Sequence, residues 1–464
     1  MTIGLVRNVV GTICLSDCHS HREVDTELFC GALNLEDDKP MKGPQESVIR
    51  RMTRLAIEHN AVNLSQGITN EPVLYDLAWA GIAAILGGSD DGAEHLQSLI
   101  LSDLLSRNTG NNHNARSLKD LCTVLQPEQD RYNQYSFPFG LPELREAIAD
   151  YTQRFYSFRP NPETQITVTA GATEGLSSTL RALCDPGDGL IILQPFHEMY
   201  PNQASLFGLR CEYVTLRETN TGWQLDKDEW TAAAKNARAL ILNTPHNPTG
   251  KVFSESELGF IVDLCQKHDL FLITDEIYEH ILYGDHIHIC PAMLNGMADR
   301  TIVINAITKT ANASGWRVGW VISPEQYTPQ IRAVHDTLVV QAPTPLQKGA
   351  EHLLRLPDAI FKDIHKPFQQ KRDLLVDALR SSGFKITPPD GAYYLFANYH
   401  SVPTIGALNA TDAALYMTEK IGVAPVPGDN FYQVGSEGDR YLRFAFCRTL
   451  DSLAEAAERL KNLV

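Results

Sequence analysis

The 464-residue chain contains no stretch of about 18 consecutive apolar residues, so no membrane-spanning helix is predicted. Positive charge is also short: 40 Lys and Arg stand against 56 Asp and Glu, for a formal net charge of −16. That balance opposes general binding to nucleic acid or to anionic lipid, yet it leaves room for a local basic pocket around a phosphorylated ligand. The opening MTIGLVRNVVGTICLSDCHSH lacks a strong basic leader and a long hydrophobic core, so no signal peptide is expected. Nine cysteines, an odd number, run from Cys14 to Cys447 without paired spacing. Reduced thiols in a cytoplasmic protein fit this better than a disulfide framework. Cys14, Cys18, His19 and His21 have a loosely metal-like spacing, but no second ligand pair is near. No metal site is expected, and residues 1–45 are read as a flexible or capping arm.

What is present is the material of a folded protein: 43% apolar and 21% charged residues, enough for one large and one smaller core. Val48, Ile49, Met52, Leu55 and Ala56 recur at helical spacing, predicting a helix over 47–59 followed by an extended Val62-Asn63-Leu64. Residues 75–105 read as helical in parts. The polar segment 106–131 reads as a surface excursion with one short helix near 112–124. From Gly140-Leu141-Pro142-Glu143, which opens a helix, strands and helices alternate. Seven strands are predicted at 165–169, 189–194, 209–215, 239–243, 270–274, 301–305 and 317–322. Several are apolar on both faces, as in a mostly parallel sheet covered by helices on each side. Beyond about 340 the pattern becomes a helix near 355–382, an extended FKITPPDGAYYLFANY, a helix near 411–420, a strand at 441–446 and a last helix. The expected fold is a three-layer α/β/α large domain with a seven-stranded sheet (76–339). A smaller α+β domain would combine 46–75 with 340–464.

Four strand ends carry polar groups, and ligands of open parallel sheets collect beyond the carboxyl ends of strands. Thr169-Ala170-Gly171-Ala172-Thr173 joins a strand to a helix through small residues, so backbone N–H groups and the helix dipole can meet an anion; an ordinary tight turn is the plain alternative. Asn243-Thr244-Pro245-His246-Asn247-Pro248-Thr249-Gly250 is a stiff loop that aims Asn247, and such loops are often only structural. Asp275 follows a buried strand in Thr274-Asp275-Glu276-Ile277-Tyr278; it can pair with a protonated ring nitrogen or merely cap a turn. Tyr278 and Asn247 could both donate to one phenolate oxygen. Finally, Lys309 in Thr308-Lys309-Thr310 follows a β-branched strand, with Arg317 eight residues on. A lysine there can hold an aldehyde as a Schiff base and serve as a base, while the arginine grips a phosphate. Pyridoxal phosphate is the cofactor with both groups. A solvated strand end and a surface ion pair are the plain readings of this last pair.

Asn133-Gln134-Tyr135, Gly140-Leu141-Pro142-Glu143-Leu144-Arg145, NPTG at 247–250, DEIY at 275–278, TKT at 308–310 and GWRVGW at 315–320 occur together and in order. With this set the chain resembles the class I/II aminotransferases, fold-type I pyridoxal-phosphate enzymes, from about residue 45 to the C-terminus. The resemblance implies that Lys309 is the Schiff-base lysine, Asp275 the partner of the pyridine nitrogen, and Asn247 and Tyr278 donors to the cofactor phenolate. It implies that Ala172, Thr173 and Arg317 hold the phosphate. Tyr135 would reach the phosphate of a neighbouring subunit, which implies a homodimer with shared sites. Arg443 would clamp the α-carboxylate of an amino-acid substrate. Taken from the residues alone, Arg443 lies in an otherwise apolar strand, a costly place for a charge unless an anion meets it.

Three departures from the family pattern stand out. Ala306 occupies the place of a serine that usually touches the phosphate, leaving Thr308, Thr310 or water to replace it. His197 in Gln194-Pro195-Phe196-His197-Glu198 takes the position of the aromatic residue that stacks on the cofactor ring. Imidazole stacks with less apolar area and can titrate or donate to substrate, and a one-residue slip would put Phe196 there instead. Gly67-Ile68-Thr69-Asn70 replaces a glycine–aromatic–proline–aspartate turn bordering the substrate, so Gly67 and Ile68 are expected to meet an unusual substrate shape. Transamination of an L-amino acid is the primary expectation. γ-Elimination, γ-replacement or cyclisation, as in aminocyclopropane-carboxylate synthases, is the alternative, because the groups nearest the cofactor serve all these fates. A transcription regulator would need a basic helix-turn-helix, which the acidic, mixed segment 1–45 does not supply.

Overall fold

The computed structural model describes residues 47–85 and 132–463. The Cys14–His21 cluster, the N-terminal arm and the 106–131 excursion with its short helix lie outside the described residues.

Ser47 caps the first helix, Val48–Glu58, whose Met52 and Ala56 are buried. The two-residue strand β1 (Val62–Asn63) follows, then a helix at Tyr75–Ile85 and another at Pro142–Tyr156 that starts on its proline. Next come β2 (Ile166–Thr169), β3 (Gly189–Gln194), β4 (Arg210–Thr219), β5 (Gly222–Leu225), β6 (Ala239–Asn243), β7 (Phe271–Asp275), β8 (Thr301–Ala306) and β9 (Gly319–Ile322). They form one sheet in the order β2-β9-β8-β7-β6-β3-β4-β5. All seven predicted strands are present, and β4–β5 adds a hairpin that makes the sheet eight-stranded. Ladders β4–β3–β6–β7–β8 are parallel, whereas β9 runs antiparallel to both β8 and β2.

Alternation along the strands explains the layers. Leu190, Ile192, Ala239, Ile241, Phe271 and Ile273 pack into one core, while Ile191, Leu193, Leu240, Leu242 and Leu272 pack into another on the opposite face. Each Leu, Ile or Phe among them stabilises the fold by roughly 1.5–3 kcal/mol when buried, so neither face can be left wet and helices cover both. The result is the α/β/α arrangement.

The C-terminal part contains β10 (Tyr394–Asn398), β11 (Val423–Ala424), β12 (Val426–Pro427) and β13 (Tyr441–Ala445). β10, β13 and β12 form an antiparallel sheet, and β1 pairs in parallel with β11, which ties the N-terminal segment to this part. Met52 and Leu64 accordingly share a core with Leu375, Leu379, Phe444 and Leu453. The single helix predicted near 355–382 is instead Asp358–Asp363 followed by His365–Ser381, after Thr344–Arg355. Pro357 accounts for the first break, because it has no N–H to continue a helix and holds Leu356 extended. The helix predicted near 411–420 is Ala410–Tyr416, capped by Asn409 and continued by one π-helical turn to Ile421, where Gly422 at φ 78° ends it.

Candidate active site

Strand register brings the predicted strand ends together. Asn243 faces Asp275 across β6–β7, Asp275 faces Ile304 across β7–β8, and Gly319 faces both Ala306 and Thr169. Asn243 Nδ2 donates to the Asp275 carbonyl at 2.9 Å, and its Oδ1 accepts from the Asn247 amide at 2.7 Å, so one side chain sets both loops. A cleft of about 380 Å³ opens beyond these ends. That volume suits a small cofactor plus a substrate side chain.

Lys309 lines this cleft on a short helical turn, Ile307–Thr310, and its Nζ donates to the Gly67 carbonyl at 2.9 Å. Burial lowers its pKa to about 8, with Asp275 and Cys447 opposing the shift and Arg317 and Arg443 adding to it. A buried lysine with a neutral fraction near neutral pH is a nucleophile and a base.

Asp275 lines the same cleft and is 5% exposed. Burial pushes its carboxyl up to about 6, against the Tyr200 hydroxyl, which donates to Oδ2 at 2.8 Å. Oδ1 is buried with no hydrogen-bond partner. Tyr278 and Asn247 also line the cleft. The Tyr278 hydroxyl lies 3.1 Å from that of Tyr394, and Asn247 Oδ1 accepts from Arg443 Nη1 at 3.0 Å.

At the other end, Ala172, Thr173, Thr308 and Arg317 meet. Gly171, at φ 80°, begins the helix Ala172–Leu183; a Cβ there would lie 2.4 Å from Arg317 Nη2, and one on Gly319 would lie 2.9 Å from the Ala172 amide nitrogen. Only glycine lets the guanidinium and the helix N-terminus approach so closely. Arg317 donates to the Ser314 and Ala170 carbonyls at 3.0 and 3.4 Å, and partial burial lowers its pKa. Ala306, by contrast, is buried as the residue before the Lys309 turn and does not line the cleft, whereas Thr308 does.

Arg443 is 1% exposed. Its Nη2 donates to the Ser65 carbonyl at 2.7 Å, its guanidinium lies 4.5 Å from the Tyr394 ring, and Nε has no partner. Gly67 and Ile68 line the same cleft. His197 lines it as well, while Phe196 is buried against Tyr213 and does not. Burial, Arg443 and Lys309 lower the His197 pKa to about 3. Its ring is therefore neutral, and because Nδ1 accepts from the Met199 amide at 3.1 Å, the hydrogen sits on Nε2. Titration near neutral pH, one of the options read from sequence, does not survive this environment. Tyr135 is the one expected site residue outside the cleft of its own chain, at 81% exposure.

Residues that motif reading passed over include Tyr200, Tyr394 and Arg448. Tyr200 lies two residues beyond Glu198, where the quoted loop ends, and Tyr394 is the first residue of β10 within the quoted FKITPPDGAYYLFANY, but neither carries a spacing signal toward Asp275 or Tyr278.

Pyridoxal phosphate fits this donor set. The unpartnered Asp275 Oδ1 suits a protonated ring nitrogen, the glycine-lined cradle at Gly171 and Gly319 suits a phosphate, and Lys309 suits an aldehyde. Comparison with known proteins agrees. Residues 107–460 match the family of aminotransferases of class I and II. The human kynurenine–oxoglutarate transaminase 1 is 30% identical over 436 residues, covering 88% of this chain and 94% of that protein. The methionine aminotransferase of Escherichia coli K12 is 30% identical over 418 residues, covering 90% and 96%. The solved N-succinyldiaminopimelate aminotransferase of Mycobacterium tuberculosis superposes with a TM-score of 0.78 at 30% identity, covering 90% and 97%. The chain belongs to the class I and II aminotransferases, fold-type I enzymes that depend on pyridoxal phosphate.

Proposed function

We propose that the protein transfers the amino group of an L-amino acid to a keto acid, and that the cleft around Lys309 is where it does so. The observation that carries this is the convergence of Lys309, the unpartnered Asp275 Oδ1, Arg317 and the buried Arg443 in one cleft. The named relatives are aminotransferases, which favours transamination over the elimination and cyclisation alternative.

Bound pyridoxal phosphate supplies an aldehyde that condenses with amines and a ring that delocalises the charge left on a deprotonated carbon. Ala172, Thr173 and Arg317, helped by Thr308, would hold its phosphate. Asp275 Oδ1 would accept the ring N–H and keep that proton in place. Asn247 and Tyr278 would donate to the phenolate oxygen, and neutral His197 would cover the ring face, with Nε2–H free to donate. The Arg443 guanidinium would receive the substrate carboxylate; it is desolvated and lacks an acidic partner in its hydrogen bonds, so the charge it meets is not screened by water. Lys309 Nζ, neutral in part because burial depresses its pKa, would take the proton from the substrate Cα.

Ile49, Ile68 and Met199 add apolar surface to the cleft, which supports a donor with an apolar or aromatic side chain. The 81% exposed Tyr135 and the 60% exposed Phe137 beside it support a homodimer in which Tyr135 reaches the partner's cofactor. The division into a large domain (76–339) and a small one (46–75 with 340–464) is supported by the pairing of β1 with β11. Free Cys184, Cys211, Cys265, Cys290 and Cys447 suit a reducing cytoplasm, and no helix among the described residues is long and apolar enough to cross a membrane. Steady-state assay of the loaded protein with L-amino acids and a 2-oxo acid tests the function. Production of the donor's keto acid only when the 2-oxo acid is present supports it. Consumption of S-adenosylmethionine, the substrate expected of an enzyme like the aminocyclopropane-carboxylate synthases, without any 2-oxo acid, and no keto acid from other donors, would refute it.

A further inference from the structure

The turn Gly67-Ile68-Thr69-Asn70, singled out as unusual, belongs to a wall between two cavities. Gln66, Gly67 and Ile68 line the cleft, and Gln66 and Ile68 also line a second cavity of about 390 Å³ behind them, together with Asn63, Asn70 and Arg448. On the cleft side the wall has no slack. The Gly67 carbonyl accepts from Lys309 Nζ and from the Tyr393 hydroxyl, each at 2.9 Å, and a Cβ on Gly67 would lie 1.8 Å from the Tyr394 hydroxyl oxygen. On the far side there is room to retreat.

We propose that Arg448 is the positioning residue that prevents this retreat and so sets the substrate-side width of the cleft, an inference that rests on the cleft being an amino-acid site. Its Nε donates to the Asn63 carbonyl at 2.7 Å, its Nη2 to the Gln66 carbonyl at 3.1 Å, and its Nη1 to the Ile68 carbonyl. One planar fork thus fixes three oxygens spread over six residues, which a lysine, as a point charge, cannot do. The side chain is nearly buried, at 7% exposure, and these three acceptors are carbonyl dipoles with no full counter-charge. Such burial is a costly way to place a guanidinium. Asn70 adds a second stitch from the same wall: its Oδ1 accepts from the Thr449 amide at 2.7 Å and its Nδ2 donates to Ser452 Oγ at 3.3 Å. The hydrogen bonds of Arg448 reach cleft-lining Gln66 and Ile68 only at their backbone carbonyls, and Arg448 does not itself line the cleft, so its effect on substrate is indirect.

The test compares wild type, Arg448→Met, Arg448→Lys and Arg448→Ala as loaded enzyme, with amide hydrogen exchange measured on the same proteins without cofactor. KM for the best amino-acid donor is expected to rise at least about tenfold in Arg448→Met, with kcat within about threefold and bulkier donors less affected. Exchange at amides 64–70 should quicken while that of the helix Leu450–Leu460 does not. Arg448→Lys should resemble Arg448→Met. Ethylguanidinium added to Arg448→Ala, entering the cavity behind the wall, should lower KM again. Unchanged KM, a fall confined to kcat, or faster exchange throughout the chain would overturn the proposal, the last by showing a general loss of stability. If wild type turns over no amino acid, the functional reading fails on its own, and the exchange at 64–70 still decides whether Arg448 holds the wall.

Discussion

Tyr200 donates its phenolic hydrogen to Asp275 Oδ2 at 2.8 Å, while Asp275 Oδ1 stays buried and unpartnered. The carboxylate is thus held by one oxygen and presented by the other. Burial raises the Asp275 pKa to about 6, and it also pushes the Tyr200 hydroxyl well up. An unfolded aspartate titrates near about 3.9, so the folded chain binds the proton more tightly. Its ionised form therefore costs stability above pH 6, and the cost is relieved as pH falls from about 6 toward 4. Asp275→Asn should melt at a higher temperature than wild type at pH 7.5 when both lack cofactor, with the gap narrowing at pH 5. The same substitution should weaken pyridoxal phosphate binding by about tenfold or more, because it removes the proposed partner of the ring nitrogen. Thermal melting and equilibrium dialysis read the two effects separately.

Lys309 gives a second pH dependence of opposite kind. Burial lowers its pKa to about 8 from the usual value near 10.4. Uptake of pyridoxal phosphate by the cofactor-free protein requires neutral Nζ, so its rate should rise with pH through about 8 and then level off. A rate still climbing tenfold per unit at pH 9.5 would show a lysine that burial does not perturb.

The proposed phosphate cradle depends on a missing side chain. Gly171→Ala places a Cβ 2.4 Å from Arg317 Nη2 at a backbone φ of 80°. We expect affinity for pyridoxal phosphate to fall by about tenfold to a hundredfold, while affinity for pyridoxal, which lacks the phosphate, changes much less. Equal losses for both ligands would place the phosphate elsewhere.

Arg443→Gln removes the charge from a site that keeps its burial. Loss of a buried charged hydrogen-bond partner typically costs about 2–4 kcal/mol, so kcat/KM for the amino acid should fall by roughly 30- to 1000-fold. Cofactor content, measured by absorbance after dialysis, should stay near that of wild type. Loss of cofactor in step with activity would assign Arg443 to the cofactor rather than to the substrate.

Much of this arrangement was legible in the sequence because it follows from local rules. Apolar runs such as Leu190–Leu193 and Ala239–Leu242 mark strands buried on both faces, and polar residues directly after them, Asn243 and Asp275, must emerge at the same sheet edge. The β5 strand was not legible: four residues after Thr221 give too short an alternation to detect, and the hairpin becomes visible only through pairing with β4. The break at Pro357 was legible in principle, since proline has no N–H to continue a helix, but the helix read near 355–382 ran across it. Tyr200, Tyr394 and Arg448 escaped for a different reason. Their partners lie 75, 116 and about 380 positions away, and only the tertiary fold brings these groups into contact.

The central claim is that the cleft moves an amino group from substrate to cofactor, with Lys309 as its base. The most direct measurement is a single turnover of the loaded protein with an L-amino acid and no keto-acid acceptor, followed by absorbance and by analysis of the released product. Transamination predicts stoichiometric conversion to the aminated cofactor, one equivalent of keto acid, and neither signal in Lys309→Ala. Return of the original absorbance with release of a side-chain fragment or a cyclised product, for every donor that reacts, would contradict it.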